Sequence, residues 1–237
     1  MPTPVDIRIT PSLHADTLKE VDGYDEELTA PILAPALEAL DDAYLTLGKL
    51  HDARDAAKKN QAWTEGQQVL AVSDAAWKQQ QRLAKKLDTV RVTLEKQIAH
   101  FEGELSQPLE SRAAVTISGE VRKFVKDMPT EKRHEFLRQA IEDGDHVTIS
   151  AVCGAPPYLS GLDANFQKTY TRMWHERTSP DLAQKLKAVR GAKAVIEQRG
   201  ALIFKEVEKA MGAPWTRVQA LREGNDKALA ALKFDSQ

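Results

Sequence analysis

The sequence predicts an all-α protein built on long helices, and three observations predict it. Ala and Leu are the commonest residues and aromatics make up only 6% of the chain. That mix favours helix over the β-branched, turn-rich composition of a sandwich or barrel. Three separated stretches place apolar residues at helical spacing, and Gly and Pro fall between such stretches, where helices stop. The 237 residues suffice for one large domain or two small ones. The expected architecture is elongated: a hairpin of two long helices, a third long helix alongside in a coiled-coil-like manner, and a small helical subdomain at one end.

Residues 1–26 read as an extended arm. Pro2, Pro4 and Pro11 oppose a helix, and Val5, Ile7 and Ile9 alternate with Asp6 and Arg8 at the strand period of two. A lone strand is not stable, so the arm must lie on something. It either folds over the protein's own helices or adds to a neighbouring chain. On the second reading, Val5, Ile7 and Ile9 are candidate partner-binding residues.

Residues 27–107 read as the hairpin. Leu33, Leu37, Leu40, Tyr44, Leu47 and His51 are spaced four, three, four, three, four, as along a heptad seam. Pro31 and Pro35 suit a first turn, where a missing amide donor costs little. A helix over 31–58 should end at the polar run Lys58-Lys59-Asn60-Gln61. A second, over 63–106, carries Leu83, Leu87, Val90, Leu94, Ile98, Phe101 and Leu105. Forty-odd residues at 1.5 Å rise make a rod of roughly 65 Å. Leu45, Leu50, Leu70, Trp77 and Val92 lie off the seam and are expected to leave apolar surface exposed.

Residues 108–178 read as a subdomain of short helices. One carries Val115, Val121, Phe124 and Val125 and stops at Met128-Pro129; the next runs through Phe136, Leu137 and Ile141. Gly144 stands where a C-terminal glycine belongs and Asp145 where the following N-cap belongs. A short helix with Val147, Ile149 and Val152 ends at Gly154-Ala155-Pro156-Pro157. Phe166, Tyr170 and Trp174 then recur at i, i+4, i+8 over 163–177, either as subdomain core or as a candidate partner-binding groove. Ser179-Pro180 opens the third long helix, over 179–211, with Leu182, Leu186, Val189, Ile196, Ile203 and Val207 inward. Gly212-Ala213-Pro214 stops it, and residues 212–237 add a helix with Trp215, Val218 and Leu221 and a polar tail.

Several function classes are disfavoured. No stretch approaches eighteen apolar residues, so no membrane span is expected. MPTPVDIRIT lacks a basic segment followed by an apolar run, so no secretory signal is expected. The single cysteine, Cys153, allows no internal disulfide framework and points to a reducing compartment. Residues 1–60 hold twelve acids against six bases, leaving 23 against 27 in the remainder. An acidic head and a mildly basic body could attract one another, but neither suggests a phosphate-tracking surface. Lys85-Lys86, Arg122-Lys123 and Lys132-Arg133 are short and interleaved with Glu, so a nucleic-acid-binding regulator is a secondary alternative.

The enzymatic alternative rests on His51-Asp52. A His-Asp pair on a helix is the core of the all-α HD-type metal-dependent phosphohydrolases, where it supplies two metal ligands. The other histidines are badly placed to complete such a shell. Glu142-Asp143-Gly144-Asp145-His146 lacks the order of a calcium loop. Cys153 stands at the helix end that disfavours a thiolate, and no second His lies four residues from His175. No catalytic residue, metal or cofactor is therefore expected.

The short helix, the segment Ala155-Pro156-Pro157-Tyr158-Leu159-Ser160-Gly161-Leu162, the helix opening near Leu162 and the Ser-Pro-capped long helix together resemble small helical proteins of unknown function encoded in bacteriophages and prophages. The resemblance covers residues 140–190 and implies a phage or bacterial-cytoplasmic setting. It transfers no site residue. Exposed apolar stripes on long helices are usually covered by copies of the same chain or by another protein. The expected function is thus that of a non-enzymatic interaction protein, self-assembling or part of a larger assembly, in a phage structural or assembly role.

Overall fold

A computed structural model describes residues 5–110 and 114–232. Among them it is all-helical, 79% helix with no strand. The helices are α1 (Ala30–Lys58), α2 (Glu65–Glu104), α3 (Val115–Asp127), α4 (Thr130–Glu142), α5 (His146–Cys153), α6 (Ala164–Thr178), α7 (Pro180–Met211) and α8 (Trp215–Ala231). Pro2, Pro4 and the polar tail after residue 232 lie outside the described residues. Two compact units form, Met1–Glu95 with Ala188–Gln237, and Lys96–Lys187, so the division falls inside α2 and α7.

In the first unit, α1 is buried on more than one heptad stripe. Leu33, Leu40, Tyr44, Leu47 and His51 are buried as the spacing predicts, with Leu37 half-buried. Ala36, Ala39, Ala43 and Leu50 are buried as well. The reason is that α1 is covered from several sides. One side meets α2, where Arg82 grips Asp42 through both guanidinium nitrogens (2.6 and 2.9 Å) and Lys86 adds a third bond to it (3.0 Å). Another meets the N-terminal arm. Leu45, Trp77 and Val92 are exposed as expected; Leu50 is buried and Leu70 half-buried. Pro35 stands inside α1, one turn deeper than a first-turn proline.

The arm is a correction to the strand reading. The chain turns at Asp6, whose carboxylate accepts the Arg8 amide (2.9 Å), and Ile9 N donates to Asp6 O (3.1 Å). Two 3-10 turns follow, Pro11–Leu13 and Ala15–Leu18. Without a partner strand an alternating segment leaves its backbone unpaired; turns satisfy it locally and bury Ile9, Leu13 and Leu18 against helices.

α2 opens with a reciprocal cap that the sequence reading passed over. Gln67 Oε1 accepts from Thr64 N (2.9 Å), and Thr64 Oγ1 accepts from Gln67 N (3.4 Å). α7 ends at Gly212, which has φ +86° and donates to Glu208 O. α8 then lies along the start of α2. Trp215 Nε1 donates to the buried Gln80 (3.1 Å), and its ring meets Trp77 edge-on at 5.4 Å. Val218 is buried.

The second unit packs α3 to α6 around Val125, Leu137, Ala140, Ile141, Ile149, Val152, Cys153, Leu162 and Tyr170. Its turns follow the local chemistry read from the sequence. Gly144 takes φ +73°, Asp145 N reaches back to Ala140 O, and the Asp145 carboxylate caps Thr148 N at 3.0 Å. Asp163 caps α6 through Asn165 N and Phe166 N.

Candidate functional site

The six residues singled out as candidate partner contacts separate by burial. Ile9 is buried under the arm, whereas Val5 and Ile7 are exposed, Ile7 at 96%. The arm's turn redirects alternate side chains, so only Ile9 reaches the helices. In the second stripe, Tyr170 belongs to the core, with its hydroxyl 2.6 Å from His134 Nδ1. One turn before it, Phe166 is exposed and lies over the His134 ring at 4.2 Å. One turn after it, Trp174 is half-buried and packs against the core. The stripe therefore does not form one continuous groove.

The larger apolar surface lies on α3. Ser118 and Val125 are buried and fix the helix's rotation. Arg122 Nη1 donates to Ala151 O (3.1 Å), tying α3 to α5. That rotation turns Ile117 and Phe124 to solvent and leaves Val115 at 86% exposure. Phe124 meets Phe136 edge-on at 5.7 Å, so the exposed ring continues into the core through an aromatic pair. The sequence placed Phe124 and Val125 in one helix but could not say which faced inward. The line 117, 121, 124 competes with 118, 121, 125 at the same helical period.

A second group stands on the turn between α5 and α6. Pro156 and Pro157 restrict the backbone, Ser160 N and Leu162 N both donate to Pro157 O, and Gln167 Nε2 donates to Cys153 O (2.8 Å) and Ala155 O (2.6 Å). Tyr158 and Leu159 are exposed on this braced turn while Leu162 is buried. Gly161 has φ +69° and its carbonyl accepts from Arg133. Arg133 also donates to Val125 O, Lys126 O and Met128 O, joining the end of α3 to the turn.

Two grooves flank the segment 106–110. One, of about 570 Å³, is lined by Ser106, Leu109, Cys153, Pro156, Gln167 and Thr171. The other, of about 500 Å³, includes Glu110, His146, Trp174 and His175. In the first, burial pushes the Cys153 thiol up to about 11, which leaves it protonated at neutral pH and a poor nucleophile. In the second, His175 Nε2 is bonded to Gln107 O at 2.8 Å.

The His51-Asp52 pair diverges. Asp52 sits at the surface with Arg8 at 2.8 Å, while His51 is buried and its Nε2 has no hydrogen-bond partner. Burial, and then the nearby Arg8 guanidinium, lower its pKa. Among the described residues no group of three His, Cys, Asp or Glu is arranged to hold a metal ion, and no helix is long and apolar enough to cross a membrane. One member of each basic cluster has a structural duty: Lys86 binds Asp42, Arg122 binds Ala151 O and Arg133 binds four carbonyls.

No protein-family model, curated protein or solved structure matches this chain.

Proposed function

We propose that this is a non-enzymatic interaction protein that works by self-association or as a component of a larger assembly. One observation carries the reading. The second unit leaves Val115, Ile117, Phe124, Tyr158, Leu159 and Phe166 exposed around its core. Isolated apolar side chains on a surface are ordinary, but aromatics gathered on a small unit are the usual anchors of a protein interface. Tyr158 stands with Leu159 on a proline-braced turn, so the pair meets a partner with little ordering cost. The exposed Val5 and Ile7 of the arm add a second contact region. A phage or prophage structural or assembly role is the proposed setting; it rests on the resemblance of the segment that carries Tyr158 and Leu159.

Light scattering of the purified chain over a wide concentration range tests this. The expected result is a mass that rises in multiples of 26.3 kDa, or co-purification with a partner protein. Ile117→Ser with Phe124→Ser should weaken either association while leaving the helical circular dichroism unchanged. A monomer at every concentration that also captures no partner overturns the proposal.

A further inference from the structure

The N-terminal arm crosses α1 along one line of that helix. Tyr44, Gly48, Asp52 and Asp55 stand at i, i+4, i+8 and i+11, a single helical face. The Tyr44 hydroxyl accepts from Asp6 N (2.8 Å) and donates to Asp6 O (3.1 Å). A side chain at Gly48 would meet Asp6 and Ile9. Arg8 reaches Asp52 (2.8 Å) and Asp55 (3.7 Å), and Thr10 Oγ1 donates to Glu206 of α7 (2.6 Å). Ile9, Leu13 and Leu18 are the apolar anchors. The segment is thus a strap held by one tyrosine, a few ion pairs and three side chains.

His51 stands on the same face of α1, three residues after Gly48 and one before Asp52, buried and with Nε2 unpartnered. The charged groups that act on it are Asp6 and Arg8 of the arm, Arg54 of its own helix and Lys209 of α7. Asp6 is engaged by Arg8 at 2.7 Å, and the buried Glu206 of α7 is engaged by Lys209 at 3.3 Å and by Thr10 of the arm. A neutral imidazole is tolerated there. An imidazolium would be a buried cation with no acceptor for its Nε2 proton.

We propose that the arm is an acid-released strap, closed over α1 while His51 is neutral and lifted when His51 takes a proton. Of the elements that carry these charges, the arm has only short 3-10 turns of its own, whereas α1 and α7 are long helices. Lifting residues 5–10 removes Arg8 and admits water to Nε2. It also uncovers the side of α1 around Gly48, where the Ile9 side chain lies. The arm's own histidine, His14, packs edge-on to Tyr44 at 5.1 Å, and its Nδ1 accepts from Asp16 N at 3.3 Å.

Hydrogen exchange on the full chain tests the strap. The amides of Ile9 and Leu13 both donate within the arm and should lose about ten-fold in protection, corrected for intrinsic exchange, between pH 7.5 and 5. Amides in the middle of α1 should keep theirs. His51→Leu, or His51→Gln if the first fails to fold, should abolish the difference, and His14→Asn should retain it. Equal arm protection at the two pH values in the native protein overturns the proposal. So does a pH dependence that survives at position 51 or disappears with His14.

Discussion

Arg133 shows how much one side chain can organise. Its guanidinium donates to Val125 O, Lys126 O, Met128 O and Gly161 O, so carbonyls around the end of α3 are bonded by a side chain of α4 and not by a glycine turn. Carbonyls half-buried without donors are costly, and a charged fork supplies several donors at once. Arg133→Met should therefore lower stability by about 2 kcal/mol in urea unfolding. Arg133→Lys should recover less than half of that, because an ammonium cannot span two chain segments. Equal behaviour of the two variants would mean that the aliphatic stem, not the fork, matters. Nothing in the pair Lys132-Arg133 distinguished this role from that of a solvated charge, because its partners come from two separate stretches of chain, 125–128 and Gly161.

At the scale of the element, glycines in the same helix or at its end behave oppositely. Gly200 lies inside α7, and a Cβ there would meet nothing within 4 Å. Gly212 closes the same helix at φ +86°, and a Cβ there would collide with the Arg54 guanidinium. Gly200→Ala should raise stability by about 0.5–1 kcal/mol, the ordinary helix-interior gain. Gly212→Ala should lower it by at least about 1 kcal/mol, through the left-handed backbone and the displaced Arg54 together. Thermal unfolding followed at 222 nm reads both. Thr64 and Gln67 make the same point at a helix start. Their spacing is the sequence mark of a reciprocal cap, and it sets the first turn of α2 more closely than apolar periodicity does.

For the molecule as a whole, acid should act in two separate windows. Arg82 and then Lys86 hold the Asp42 carboxyl down at about 2. A carboxyl whose pKa is lower folded than unfolded contributes stability above its unfolded value, and that contribution is lost as pH falls from about 4 toward 2. His51 is also lowered, but it is a base. The unfolded chain binds its proton first, so stability falls as pH drops below its ordinary 6.5. Urea midpoints measured from pH 8 to 2 should therefore show one decline below about pH 6.5 and another below about pH 4. Asp42→Asn should remove part of the lower decline, being less stable than the native protein at pH 7 and closest to it near pH 2. Because Asp42 is only half-buried and its partners Arg82 and Lys86 reach solvent, the effect should be modest and should shrink in high salt.

The helical class, the three long helices, the stops at Gly144, Gly154 and Gly212 and the cap at Asp145 were all legible in the sequence. Each depends on neighbours a few residues apart, where period, φ preference and capping chemistry act directly. What required the tertiary structure was the choice among faces. Ile9 goes inward while Val5 and Ile7 do not, because a turn at Asp6 replaces the alternation. Tyr170 is core while Phe166 is surface, although they share a helical stripe. Leu50 is buried off the seam because α1 is covered on several sides. Phe124 faces solvent because Val125 and Ser118 win the rotation of α3. His51 was read as the edge of a seam, but its burial beneath Arg8, with Nε2 unpaired, depends on residues more than forty positions away. Periodicity says that a residue lies on some face of a helix; only the elements packed around that helix decide which faces are covered.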